Sequence, residues 1–328
     1  MSAWSRWVAL LDTREDGRAL AVVRVLVGLS IVAAMLEVVL PGTLPMIWLD
    51  LADGGYRPLG RGSWLVQKLG GPSPTVVYGL TAVTSLAGAS LAAGVASRLS
   101  AFIALQGFLG VAWMNGHTAG SYDFVATNAL WLLVLAQSDA TGSLTARLRT
   151  GTWLPAADVP AWPRWLMVVQ LVTMYASTGL QKVSAHWVPG GDMAALYYIM
   201  QQPSWQRFDL SAAAWVFPLT QGATLGTWLW EVGSPTLLLA FWFRHTRTRG
   251  GWARHTLNRI DLRSWYAGAG VAMHAGIHIL MDVGPFSYLT LALYPALFSP
   301  DEHRRWRLVG WGIPAVWAVL MVGGVLGG

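Results

Sequence analysis

The chain has 328 residues, 54% of them hydrophobic and only 12% charged, with a formal net charge of +6. An ordinary soluble domain carries about 25% charged residues, so this balance points to the membrane class. No cysteine is present, which excludes disulfides, thiolate metal sites and cysteine nucleophiles. Most basic residues lie in short loops beside apolar runs, which suits membrane topology rather than nucleic acid.

The N-terminal stretch "MSAWSRWVALLDTREDGRA" lacks the long apolar core of a signal peptide. The first long apolar run, from about Ala19 to Leu40, is long enough to span a bilayer and stay there. Further runs fall near 74–95, 98–114, 122–138, 162–182, 221–243, 264–282, 286–299 and 309–326. They predict an all-α polytopic integral membrane protein, a single domain over residues 1–328, built as a bundle of eight to nine transmembrane helices. The run at 286–299 is short and opens on "GPFSY", so it reads as a tilted span or a re-entrant segment. The loops 41–73 and 183–220 carry Trp and Tyr and predict short interfacial helices on the outer face.

Loop charge orients the chain. "RHTRTRGGWARHTLNRIDLRS" at 244–264 carries six Arg, and "ARLRTGTW" and "DEHRRWRL" are also Arg-rich. The positive-inside rule places all three in the cytoplasm. Nine spans from a cytoplasmic N-terminus satisfy this, put the C-terminus outside and imply the plasma (inner) membrane. Arg24 and Arg98 then read as cytoplasmic anchors.

Several polar residues interrupt the apolar runs. Lys182 ends the fifth run, where snorkelling to the interface is the simplest reading of a lysine taken alone. Asn115 and His117 occupy a short outside turn. His274 and His278 lie one helical turn apart, and Asp282 follows on the same face. Glu37 is near the outer end of the first run, and Glu231 lies inside the sixth. The span count puts Lys182, His117, His278, Asp282 and Glu37 toward one leaflet, whereas scattered anchors would populate both. This predicts a polar cavity opening outward. Two histidines at i, i+4 also have metal-ligand spacing, but hydrogen bonding between helices is the better reading, and no metal is expected.

Three stretches together resemble one family. "YASTGLQKVSAHWVPGG" is similar to the lysine-bearing segment of vitamin K-dependent gamma-carboxylases in its order of Tyr, Gly, Lys, Trp and Gly. "HAGIHILMDVGPFSYLTLALYPALFSP" resembles that family's His…Gly-x-Phe-Ser-Tyr…Leu-Phe-x-x-Pro region, and "WMNGHTAGSYDFVATNALWLLVLAQSDA" its Trp…Asn…His segment. The wider group is the HTTM (horizontally transferred transmembrane) domain family, and the resemblance runs to about Trp306.

The resemblance implies that Lys182 is the base that deprotonates a reduced quinone of vitamin K or menaquinol type, with oxygen and carbon dioxide as co-substrates. It implies that His117 serves the proton-abstraction and carboxylation half. Asn115, Trp187, Glu231, His274, His278, Asp282 and Tyr288 are expected to line the cavity. An apolar site suits such a lysine, because desolvation disfavours the ammonium. Gln181 departs from the second lysine of the animal enzymes, and the chain reaches Gly328 without their large lumenal substrate region.

The expected function is therefore a quinol-dependent, carbon–carbon lyase type membrane enzyme acting on a peptide or small substrate. The alternative is a non-catalytic HTTM protein acting in maturation, export or binding of a secreted peptide or lipid. Beyond the lipid bilayer and such a peptide, no partner is implied. A transporter is disfavoured by the lack of inverted repeats.

Overall fold

The computed structural model describes residues 2–59, 62–209, 213–300, 302 and 312–327. Helix dominates, as apolar runs of this composition require. The chain divides into two compact units, Met1–Met167 with Gly284–Gly328, and Val168–Val283.

The first unit opens with α1 (Ala3–Leu11), capped by Ser2, whose side chain accepts the Ser5 N–H. Strand β1 (Arg14–Asp16) pairs antiparallel with β2 (Asp158–Pro160), setting Glu15 opposite Val159. This small sheet was not foreseen from the sequence. Then come α2 (Arg18–Val39), α3 (Leu44–Trp48), α4 (Trp64–Lys68), α5 (Pro74–Ala93), α6 (Ser97–Ala112), α7 (Ser121–Leu135) and α8 (Leu144–Thr150). Helix α9 (Trp162–Gln181) passes from the first unit into the second after Met167.

The second unit holds α10 (Ala195–Ile199), α11 (Phe217–Val232), α12 (Thr236–His245), α13 (Trp252–Ile260) and α14 (Leu262–Leu280). The chain returns to the first unit with α15 (Phe286–Leu291), a 3-10 turn at Tyr294–Leu297 and α16 (Ile313–Gly327). The short helices α3, α4 and α10 form inside the two long loops, where the sequence predicts them.

Helix α2 is the core of the first unit and packs against α5, α15 and α16. It approaches α5 through glycine: a Cβ on Gly28 would lie 2.6 Å from the Ala92 backbone nitrogen and 2.7 Å from the Gly88 carbonyl oxygen. The Trp317 indole on α16 donates to the Ser30 hydroxyl on α2 at 3.0 Å. Arg164, at the start of α9, donates twice to the Glu15 carboxylate, at 2.6 and 2.7 Å, and once to the Ala296 carbonyl at 2.8 Å. A bidentate pair of this kind fixes orientation as well as charge. It ties the strand, α9 and the 3-10 turn together.

Arg24 corrects an expectation. Its side chain is fully buried rather than anchored at a surface. It donates to the carbonyls of Gly142 at 2.6 Å and Ser138 at 3.4 Å, closing the loop after α7. Arg98 donates to Ala136 and Leu135 at the C-terminal end of α7, where orphan carbonyls need donors.

All nine apolar runs carry helix, yet among the described residues only α2 and α5 are long and apolar enough to cross a membrane. Eight to nine spans are therefore not established by helix length. The run at 221–243 is broken after Val232 by Gly233, Ser234 and Pro235. Proline lacks the amide donor and clashes with the preceding turn. The run at 286–299 is one short helix and a 3-10 turn. Of the run at 309–326, residues 309–311 lie outside the described residues.

Candidate functional site

Lys182 follows the last residue of α9 in the second unit. Its ammonium group is paired with the Glu231 carboxylate, in the final turn of α11. Both side chains are largely shielded, with 16% of Lys182 and 7% of Glu231 exposed. The Trp187 ring lies over the amine, 4.7 Å from Nζ to the ring centroid, within cation–π range. The lone desolvated amine expected from the sequence is thus a compensated ion pair. Glu231 was foreseen as a cavity residue but not as the partner.

Gly179 makes the pairing reachable. A Cβ there would lie 2.8 Å from Glu231 Cβ, 2.8 Å from the Val232 nitrogen and 3.0 Å from Val232 Cγ2. Only glycine lets α9 and α11 touch at this level, one turn before Lys182. The glycine and lysine of the quoted segment therefore serve one contact.

A second group of side chains lies deeper in the same unit. The Tyr175 hydroxyl is hydrogen-bonded to His274 Nε2 at 2.7 Å, and both residues are buried. The Trp230 and Tyr266 rings stack at 4.4 Å, with Tyr175 edge-on to Trp230 at 4.2 Å. His278 is also buried, and its Nε2 has no hydrogen-bond partner among the described residues. The two histidines do share the buried face of α14.

Asp282 leaves their face of the helix, though its charge still acts on His278. Helix α14 stops at Leu280, and Met281 turns to an extended conformation that bridges to Gln206. Asp282 therefore leaves the helical face. It is largely exposed and lies 3.7 Å from Arg207. The predicted shared face of His274, His278 and Asp282 is corrected to the two histidines alone. Among the described residues no group of three or more His, Asp or Glu is arranged to hold a metal ion.

The loop after Lys182 is closed by polar contacts. His186 Nδ1 lies 2.8 Å from Asp192 Oδ1. The Ala195 N–H donates to the His186 carbonyl, and the Gln221 amide to the Asp192 carbonyl. The hydrogen bond from His186 and then the Ala194 N–H hold the Asp192 carboxyl below the usual carboxylate range. This bracing keeps Trp187 in place over Lys182.

An open groove of about 540 Å³ is lined by Val172, Ala176, Leu180 and Gln181 of α9 and by Pro235 and Leu238. Gln181 lies there and donates to the Ser177 hydroxyl at 3.0 Å.

The remaining candidates belong to the first unit. Asn115 is buried, donates to the Ile47 carbonyl at 2.7 Å and accepts the His117 N–H at 3.1 Å. It staples the α6–α7 turn to α3. His117 itself is exposed on that turn. Tyr288 is completely buried in α15, with its hydroxyl facing Glu37. Asp123 caps α7, accepting the Gly120 N–H at 3.0 Å.

Sequence reasoning quoted Tyr175 and Gly179 in the lysine-bearing segment without giving either a role, and it missed Trp230 and Tyr266. One signal for the site was available in composition. Of the 22 Lys and Arg residues only Lys68 and Lys182 are lysine, which leaves twenty arginines. The chain uses arginine where it needs a fixed cation, so a lysine in a shielded position stands out.

No curated protein and no solved structure matches the chain. The HTTM domain profile matches residues 13–302, nearly the whole length, and the chain belongs to the HTTM domain family.

Proposed function

We propose that the chain is a membrane-embedded, carboxylase-like enzyme in which Lys182 handles the proton of an acidic hydroxyl on a reduced quinone. The HTTM domain is found in vitamin K-dependent carboxylase-related proteins. The observation that carries the reading is the setting of Lys182. It is one of two lysines in the chain, shielded, held by Glu231 and covered by an indole ring.

These residues fit a quinone-type group. The amine and carboxylate provide proton-exchanging atoms, and Trp187 offers a flat apolar face beside them. A bound reduced quinone would supply an ionisable ring hydroxyl, and its oxidation by oxygen would supply the strong base for proton abstraction at the carbon to which carbon dioxide adds. Lys182 Nζ holds or releases the proton, Glu231 keeps the charge balanced, and Trp187 excludes water from one side of the amine. Carboxylation of a peptide or small substrate at an outward cavity belongs to this reading. So do the nine-span topology, the inner-membrane location with a cytoplasmic N-terminus, and a contribution from His117.

The test uses full-length protein in gentle detergent. Mass spectrometry is expected to find a co-purifying menaquinone-type lipid, and Lys182→Ala is expected to keep the fold while losing oxidation of added reduced quinone by at least about 100-fold, the scale of a lost general base. Wild-type turnover by Lys182→Ala would overturn the reading.

A further inference from the structure

A base needs a free lone pair, yet Lys182 is held against a carboxylate. We propose that Glu231 is the residue that takes the Lys182 proton, and that Gly179 is the gap that lets the two meet. The inference deepens the reading of Lys182 as a proton-handling residue and rests on it.

The pair is set by helix packing rather than by side-chain reach. Glu231 ends α11 with its Cβ where a Gly179 side chain would be, and the clash would include the backbone nitrogen of Val232. Backbone cannot rotate away, so any larger residue at 179 must part α9 from α11. That movement draws Lys182 from Glu231 without deleting either group.

The exchange balances. One N–H bond of the Lys182 ammonium breaks, an O–H bond forms on Glu231 Oε2, and ammonium–carboxylate becomes amine–carboxylic acid. Net charge is zero in both states, so no isolated ion is created in an apolar setting, where a lone charge is costly. The amine then carries the lone pair that a base requires. Arginine could not do this, because its guanidinium stays protonated. Glu231 acts through Lys182 and is a positioning residue in this sense. Trp187 stabilises the charged form from the other side.

The two-lysine composition makes the test direct. Full-length protein in detergent is exposed to limiting acetic anhydride at neutral pH, and labelling of Lys182 is compared by mass spectrometry with that of Lys68, exposed at the end of α4. Glu231→Gln is expected to raise the Lys182-to-Lys68 ratio about tenfold, because loss of one neighbouring opposite charge frees more amine. Gly179→Ala is expected to raise it in the same direction by less, and Glu231→Asp to stay nearer wild type. A general loss of structure would not single out Lys182.

In turnover of reduced quinone, Glu231→Gln is expected to lower kcat by at least about tenfold with KM unchanged, because an amine without its carboxylate is free more often but is a weaker base with no neighbour to take its proton. An unchanged ratio in folded Glu231→Gln overturns the proposal. If that variant does not fold, an unchanged ratio in Gly179→Ala does so. A shifted ratio together with normal turnover by Lys182→Ala would remove the reaction and leave the pair standing.

Discussion

At the scale of single residues, three buried or shielded cations among the described residues each have a partner. Arg24 serves loop carbonyls, Arg164 serves Glu15, and Lys182 serves Glu231. The contact most accessible to solution chemistry is His186–Asp192, in the loop that carries Trp187. Asp192 titrates below its ordinary value in the folded chain. A depressed carboxyl stabilises the loop above its unfolded value, about pH 3.9, and that contribution fades as pH falls through the lower folded value. Hydrogen exchange of residues 186–195 is therefore expected to accelerate as pH is lowered past about 4, after correction for intrinsic rates. Asp192→Asn should show the faster exchange already at neutral pH. An Asp192→Asn loop as protected as wild type would show that the contact does not hold it.

At the scale of elements, close helix crossings recur at glycine. The Gly28–Gly88 crossing brings α2 and α5 into backbone contact, and the Gly179 crossing does the same for α9 and α11. Small residues let helices approach where no hydrophobic force pulls them together in lipid. Gly28→Ala forces a new methyl against the Ala92 nitrogen and the Gly88 carbonyl, neither of which can yield as a side chain would. It should destabilise the first unit by about 1–3 kcal/mol, the cost of overpacking, read as a lower Tm in detergent. An unchanged Tm would mean that the two helices part without loss.

At the scale of the whole molecule, the two units divide the candidate residues. Lys182, Glu231, Trp187, His274, His278 and Asp282 belong to the second, and Asn115, His117 and Tyr288 to the first. The topology proposed from loop charge has a clean test, because the chain contains no cysteine. A single cysteine at Ser184→Cys, in the exposed loop after Lys182, should react with an impermeant maleimide on intact cells. One at Thr248→Cys, in the Arg-rich segment before α13, should react only after permeabilisation. The reverse pattern would invert the topology, and equal labelling of both on intact cells would dismiss it.

The sequence alone determined the helical class, because long apolar runs with few charges leave helix as the way to satisfy the backbone. The ordered motifs around Lys182, the 274–299 region and the 113–140 region were enough to indicate the family. They also singled out Lys182, a charge costly enough in that setting to need a reason. What lay beyond them was anything set by contacts distant along the chain. Glu231 is 49 residues from Lys182, and Tyr175 is 99 from His274. Periodicity carries no information about such pairs. Asp282 shows the limit from the other side: helical spacing put it beside His278, but the bridge of Met281 to Gln206 ends α14 first. Local pattern set which faces are apolar, and only tertiary packing, through a glycine-sized gap between two helices, decided which carboxylate meets the lysine.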